Sequence, residues 1–136
     1  MSALPLDLPL SALSIPGTHN SHAHYRALPS VRFQSTDIQT QLTNGIRFLD
    51  IRLQPVHASD PTKQDIHLVH GAFPITLTGP KSLAPILQTC YTFLAHHPTE
   101  TILLSPKPKG PPTTSSTAFY LPRFLEEQYI RPNPHK

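Results

Sequence analysis

Three short apolar runs in this chain each lead into side chains that can take part in chemistry. They are Ile15-Pro-Gly-Thr-His-Asn-Ser21, Gly45-Ile-Arg-Phe-Leu-Asp-Ile-Arg-Leu53 and Leu68-Val-His-Gly71. In α/β barrels, polar residues at the ends of apolar strands meet at one face, where these folds place their active sites. This order of motifs therefore predicts a sheet whose strand ends converge on one pocket.

The residues between these motifs predict alternating strands and helices. Strands are expected over 13–15, 46–53, 66–69 and 101–105, and helices over 36–42, between Ser82 and Pro98, and over 122–130. Thr36 and Gln39 fit a capping box for the first helix, whereas Ser82 caps the second and Pro98 ends it. Strands that alternate with crossover helices imply a parallel sheet of the α/β class.

The predicted fold class is an α/β barrel of the (β/α)8 TIM type, of which about the first half is present. Such a barrel typically needs roughly 250 residues, whereas this chain has 136. We expect an extended N-terminal segment over 1–12, a partial barrel domain over 13–130 and a tail over 131–136. The edge left after the fourth strand would be open, which allows self-association through strand pairing.

Charge and composition exclude several classes of protein. The net charge is +3 and the only dense basic segment is Lys107-Pro-Lys109, so nucleic acid is not an expected partner. Cys90 is the only cysteine, which rules out an intramolecular disulfide, and it lies on the apolar face of its helix. Without a signal-peptide pattern or a run of about 18 apolar residues, the default expectation is a soluble, cytoplasmic protein.

Together the motifs supply what internal cleavage of a phosphodiester needs. His19 and His70 suit a base and an acid, because the pKa of imidazole, about 6.5, lies near working pH. Arg52 suits the phosphate, because its planar fork matches phosphoryl oxygens. Asp50 lies two residues before Arg52 and points to the same side of the strand. Taken singly, each has a structural reading: a loop histidine, a buried Asp–Arg pair, or a histidine next to Gly71.

In order and spacing, these motifs resemble those of the X domain of phosphatidylinositol-specific phospholipase C. The likeness continues through His97-Pro-Thr-Glu-Thr-Ile-Leu-Leu-Ser-Pro-Lys107 and spans residues 13–107. It implies that a complete barrel cleaves inositol phospholipid to diacylglycerol and a cyclic inositol phosphate by attack of the 2-hydroxyl. It also implies an inositol phospholipid, bound peripherally at a membrane surface, as the partner.

The resemblance also assigns roles to the three candidate catalytic residues. His19 matches the base that activates the 2-hydroxyl, and His70 matches the acid that protonates the diacylglycerol oxygen. Arg52 matches the phosphate-binding arginine of the metal-independent, bacterial-like branch. In the calcium-dependent branch, carboxylates stand where this chain has Arg52 and Lys107, so neither calcium nor another cofactor is expected.

Asn20, Asp50 and Lys107 are expected to support these residues. Asn20 stands where the bacterial-like pattern has an aspartate and calcium-dependent members have an asparagine. Asp50 is expected to orient Arg52 or a catalytic histidine. The family pairs its base with an aspartate from the second half of the barrel. Because no residue after Lys107 is an aspartate, we expect His19 to lack that partner and this chain to be inactive by itself.

Three alternatives remain at this point. The chain can be a truncated, inactive product that binds phosphoinositides or a protein partner. The spacing of His19, His22 and His24 also permits a zinc site, although it fits no standard structural zinc pattern. A barrel phosphodiesterase for another head group, such as a glycerophosphodiester or sphingolipid enzyme, would place carboxylate ligands near the first histidine. This chain has Asn20 and Arg52 there instead.

Overall fold

In a computed structural model, the chain forms a mixed sheet with helices packed against it. The structure describes residues 5, 7–55, 66–71, 73–109 and 121–132. The strands are β1 (Gly17–Thr18), β2 (Phe48–Pro55), β3 (Ile66–His70), β4 (Phe73–Pro74) and β5 (Leu103–Pro108). The helices are α1 (Ile38–Thr43), α2 (Ala84–His96) and α3 (Leu121–Leu125), and a π-helical turn (Glu126–Ile130) follows α3.

Strand β2 is the centre of the sheet. Strands β1 and β5 run parallel to it, whereas β3 is antiparallel to β2, and β4 is antiparallel to β3. Leu53 pairs with Leu68 of β3 and with Pro108 of β5, so these two strands occupy opposite edges of β2. The short β1 lies on the same edge as β3, because β5 also pairs with Phe48 and Leu49.

The prediction of an all-parallel sheet is therefore wrong for β3. A parallel crossover needs a dozen or more residues and usually a helix, but only residues 56–65 separate β2 from β3. The chain turns back instead, and the unpredicted β4 extends this antiparallel part. In the described part of the chain, no strand pairs with the outer edge of β5.

Strand boundaries lie further along the chain than expected. Pairing begins at Gly17–Thr18 rather than over 13–15, since the carbonyl of Pro16 accepts the N–H groups of Arg47 and Phe48. A Cβ at Gly17 would lie 3.0 Å from Phe48 Cβ, so glycine permits this close approach. Strands β2 and β5 end two and three residues later than predicted, and the expected extended segment contains a 3-10 turn at Leu10–Ala12.

Helix α1 is capped by Asp37 rather than by Thr36. The Asp37 carboxylate accepts the N–H of Thr40 at 2.8 Å, which satisfies a donor in the first turn of the helix. The helix stops at Asn44, and Gly45 follows with a φ of +91°, a left-handed conformation that suits glycine. The capping-box prediction failed because Asp37, one residue on, also carries a capping side chain.

Helix α2 begins at Ala84 with no side-chain cap, so the prediction that Ser82 caps it is wrong. Ser82 instead forms an isolated antiparallel bridge with His67. The helix ends before Pro98, as predicted. In the last predicted helix the α-helical part is short, but Phe124 is buried as expected.

The two faces of β2 differ in chemistry. Leu49, Ile51 and Leu53 are buried in the apolar core, whereas the alternate residues Asp50 and Arg52 face the other side. The core continues through residues of α1, α2 and α3, with Leu42, Ile86, Cys90, Phe93 and Phe124 among them. Burial raises the pKa of the Cys90 thiol to about 11, which fits the core position predicted for it.

The loop after β1 is anchored to two strands. The Ser21 N–H donates to the Asp50 carbonyl at 2.9 Å, and the buried His22 donates from Nε2 to the Val69 carbonyl at 3.1 Å. Among the described residues, no three histidine, cysteine, aspartate or glutamate side chains are grouped so as to hold a metal ion. His22 is therefore a structural anchor in this arrangement.

No described helix is long and apolar enough to cross a bilayer.

Burial of His22 should make the stability of the protein depend on pH. Burial lowers the pKa of His22 from 6.5 to about 4, so between these values the unfolded chain binds more protons than the folded one. The free energy of unfolding should fall as pH drops through this range, by on the order of 3 kcal/mol at most from this group.

A His22→Phe variant should lose this contribution. Urea unfolding of both proteins from about pH 7 down to about pH 4 would measure it, and the variant should show the shallower decline. Equal declines would contradict the assignment. A lower stability of the variant at neutral pH alone would not, because the substitution also removes the bond to Val69.

Candidate active site

The structure brings all of the candidate side chains together beside β2. His19 and Asn20 follow β1, Asp50 and Arg52 lie within β2, His70 ends β3, and Lys107 lies within β5. Asp50, Arg52 and Lys107 are thus inside strands rather than at strand ends. They still converge, because Arg52 pairs directly with Lys107 across the parallel strands.

The buried Asp50 carboxylate is the hub of the site. It accepts Arg52 Nε at 3.2 Å and Nη2 at 3.0 Å, the Asn20 backbone N–H at 3.3 Å, and Lys107 Nζ at 3.4 Å. Burial alone would raise the pKa of Asp50, but the hydrogen bonds from Arg52 and Asn20 and the charges of Arg52 and Lys107 together hold it below its usual range. Asp50 is therefore ionised at neutral pH.

Asp50 also orients His19. The Nδ1 atom of His19 lies 3.1 Å from Asp50 Oδ2, and 60% of the His19 side-chain surface is exposed. Because a carboxylate only accepts, Nδ1 carries the hydrogen, and Nε2 of the neutral ring keeps its lone pair. The expectation that His19 lacks an orienting carboxylate is therefore wrong. The neighbouring strand supplies one, and Asp50 orients both Arg52 and a candidate catalytic histidine.

His70 faces the same space from the end of β3. Its ring stacks on Phe33 with centroids 4.5 Å apart, and Phe33 also meets His19 edge-on at 5.6 Å. Burial is the largest cause that lowers the pKa of His70, followed by the charge of Arg52. The ring is therefore neutral at pH 7 in the absence of a bound anion.

The sequence did not reveal three supporting residues. Phe33 lies in an irregular segment, and no spacing pattern indicates that it reaches both histidines. Ser21 accepts the Asp50 N–H at Oγ, and the buried Gln41 donates to the Ser21 carbonyl at 2.9 Å. Gln41 lies on the buried face of α1 with Ile38 and Leu42, and a polar residue at this helical spacing was the one available signal for this contact.

The site carries a net positive charge. Asp50 contributes one negative charge, and Arg52 and Lys107 contribute two positive ones. Half of the Lys107 side-chain surface is exposed, so this charge is accessible from outside. A site with this charge balance favours an anion such as a phosphoryl group.

The donor set does not suit calcium. Calcium binds about six to eight oxygen ligands, whereas the carboxylate here is already shared between a guanidinium and an ammonium group. Among the side chains that the structure describes, no cluster of three potential metal ligands occurs here or elsewhere.

The comparisons with known proteins identify the family and match the fold. The model of the family "Phosphatidylinositol-specific phospholipase C, X domain" matches residues 6–136. The chain therefore belongs to the X-domain family of phosphatidylinositol-specific phospholipases C, as the order of its motifs predicted.

Particular relatives are both bacterial and human. A 1-phosphatidylinositol phosphodiesterase of Listeria monocytogenes is 36% identical over 110 residues, which cover 76% of this chain and 31% of the relative. The human PI-PLC X domain-containing protein 1 is 28% identical over 127 residues, which cover 73% of this chain and 37% of the relative. The chain thus spans about a third of the length of these curated relatives.

Solved structures show the same likeness. A phosphatidylinositol-specific phospholipase C from Staphylococcus aureus superimposes with a TM-score of 0.74 at 26% identity, over 95% of this chain and 41% of that one. The enzyme from Listeria monocytogenes gives a TM-score of 0.62 at 33% identity, over 85% and 39% of the two chains. The α/β class is therefore confirmed, with a mixed rather than parallel sheet.

Loss of the Asp50 charge should destabilise the protein strongly. In Asp50→Asn, Arg52 and Lys107 lose their shared counter-charge, and removal of one partner from a buried ion pair costs on the order of 3 kcal/mol. The free energy of unfolding can be measured with denaturant.

The control is Glu127→Gln, the same carboxylate-to-amide change in a pair with Arg123 at 2.8 Å on the surface. This variant should unfold almost as the wild type does, because exposed ion pairs contribute little to stability. Equal losses in the free energy of unfolding of the two variants would show that the contacts of Asp50 stabilise the protein no more than a surface ion pair does.

Proposed function

We propose that this chain carries the catalytic half of a phospholipase C-like site, which cleaves inositol phospholipid when a (β/α)8 barrel is complete. One observation carries the proposal: Asp50 lies within 3.5 Å of nitrogen atoms of a candidate base, a guanidinium and an ammonium group. The groups proposed for proton transfer and for phosphate binding thus lie next to one another. The family membership supports the same reaction class.

The proposed reaction is an internal transfer. His19 takes the proton of the inositol 2-hydroxyl at Nε2, and the hydroxyl oxygen forms a bond to phosphorus. The bond from phosphorus to the diacylglycerol oxygen breaks, and a protonated His70 gives its proton to that oxygen. The products are diacylglycerol and a cyclic inositol phosphate, so atoms and protons balance.

The charged residues stabilise this reaction in two ways. Arg52 and Lys107 face the phosphoryl oxygens, where negative charge develops. Asp50 stabilises the imidazolium that His19 becomes, because Nδ1 already donates to it. A bound phosphate favours protonation of His70, since a nearby negative charge raises the pKa of an imidazole.

We also propose that the reaction needs no metal. Arg52 and Lys107 supply the positive charge that a divalent ion would otherwise bring to the phosphate. The partner is then an inositol phospholipid presented at a membrane surface. Membrane binding is described for the Staphylococcus aureus phospholipase, and exposed Phe73 and Leu77 offer apolar surface on this chain.

A binding module without turnover is the second candidate function. A net positive cluster can hold a phosphate even where proton transfer is absent, and the chain spans only part of its relatives. Retention on inositol phospholipid vesicles with no product would favour this candidate. The two functions therefore separate in one assay that records both binding and turnover.

Cleavage should depend on both histidines. In the full-length protein, His19→Ala and His70→Ala should each lower the rate by roughly 10²- to 10⁴-fold, the usual contribution of general acid–base catalysis. Phosphorus NMR of inositol phospholipid vesicles would follow the cyclic product. His96→Ala is the control, because His96 is exposed on α2 and, within the described part of the chain, bonds only its own helix at Thr92. A product signal that survives in both variants would refute the assignment.

Chelation should leave the reaction intact. We expect the same product signal with and without an excess of EGTA or EDTA, because no step uses a divalent ion. Addition of calcium to the chelated protein is the matched control. A rate that collapses on chelation and returns with calcium would overturn the proposal of metal-independent cleavage while leaving the family membership untouched.

A further inference from the structure

Asn20 lies between the two candidate catalytic histidines. Its amide Nδ2 is 3.1 Å from His19 Nε2 and 3.4 Å from His70 Nδ1. Only 1% of the Asn20 surface is exposed, so water does not compete freely for these contacts. Asn20 is thus the one side chain that touches both rings with a polar atom among the described residues.

With its NH2 group toward the rings, the Asn20 amide matches one tautomer of each ring. An amide NH2 group only donates, so it matches two ring nitrogens that each present a lone pair. His19 then has its hydrogen on Nδ1, where Asp50 accepts it, and His70 has its hydrogen on Nε2. Both rings are neutral in this arrangement.

The other end of the Asn20 amide has no partner. Its Oδ1 is buried and accepts no hydrogen bond from the described residues, which is costly for an amide oxygen. A half-turn of the amide would exchange the two ends and place Oδ1 against the rings. That orientation matches ring nitrogens that carry hydrogen.

We propose that Asn20 is a positioning residue that holds His19 and His70 as a pair of neutral rings of defined tautomer and couples their protonation. When one ring takes a proton on the nitrogen that faces Asn20, the amide NH2 no longer matches it. The turned amide fits that ring but then presents an oxygen to the lone pair of the other. A state with one neutral and one charged ring therefore leaves one contact unmatched.

The catalytic meaning of this coupling rests on the proposed function. Acid–base cleavage needs one neutral and one protonated ring, which is the state that Asn20 disfavours in the free site. A substrate hydroxyl that bonds His19 Nε2 in place of Asn20 leaves the amide to bond His70 alone. Substrate binding would thus allow the state in which His19 is neutral and His70 is protonated.

Other groups near the rings do not duplicate this contact. Asp50 bonds only the far nitrogen of His19, and Arg52 and Lys107 bond Asp50. Phe33 covers the face of His70 and meets His19 edge-on, without a hydrogen bond to either. The backbone of Asn20 has a φ of +47°, a left-handed conformation that asparagine, aspartate and glycine tolerate best.

The test is an NMR titration of the full-length protein without substrate, so its result does not depend on activity. Long-range 15N–1H spectra report which imidazole nitrogen carries hydrogen, and His19→Gln and His70→Gln assign the signals. At neutral pH the wild type should show hydrogen on His19 Nδ1 and on His70 Nε2. Hydrogen on His70 Nδ1 would overturn the proposal.

Two substitutions should change this state without straining the backbone. In Asn20→Asp, a carboxylate replaces the donor, so hydrogen should appear on the ring nitrogens that face residue 20. The titration midpoint of His70 should rise by about one pH unit or more. In Asn20→Gly the amide is lost and the midpoint should rise by less. If Asn20→Asp does not fold, Asn20→Gly and the wild-type tautomers decide the question.

Gln34→Glu is the matched control. It makes the same amide-to-carboxylate change nearby, but the Gln34 side-chain amide donates to the backbone carbonyl of His19, at 2.6 Å, rather than to a ring nitrogen. If direct contact matters, its effect on His70 should be much smaller than that of Asn20→Asp. Equal shifts would show that added charge alone explains the result, and the coupling role would be rejected. Loss of turnover with the expected titration would reject the proposed function alone.

Discussion

The buried charge of Asp50 is the interaction on which the site depends. A carboxylate removed from water needs donors, and Asp50 obtains them from the loop after β1, from its own strand and from β5. These contacts fix His19, Arg52 and Lys107 relative to one another. The same requirement that stabilises the charge therefore assembles the groups of the proposed proton transfer and phosphate binding.

The alternation of side chains along β2 explains how a charged hub coexists with an apolar core. Leu49, Ile51 and Leu53 are buried on one face, and Asp50 and Arg52 meet on the other. The sequence predicted this directly, because residues two apart in a strand share a side. The order of the three motifs likewise predicted the family and the convergence of His19 and His70.

What the sequence did not predict depends on contacts between distant segments. The reversal at β3 follows from a connection that is too short for a crossover, because β2 extends to Pro55 whereas the predicted strand ended at Leu53. The partner of His19 was expected from another part of the fold, yet Asp50 reaches it because the chain turns at Asn20. Phe33 joins the site through packing alone, for which single residues carry no signal.

Charge balance within the hub decides how the proposed reaction can proceed. When His19 takes a proton, the new positive charge forms beside Asp50, which already accepts from its ring. The negative charge that develops on the phosphoryl group forms next to Arg52 and Lys107. Arg52 donates to Asp50 from Nε and Nη2, so its other N–H groups can face a phosphate. In the proposed reaction, one carboxylate therefore interacts with both charges, because it stabilises the protonated His19 while it holds Arg52 and Lys107 in place.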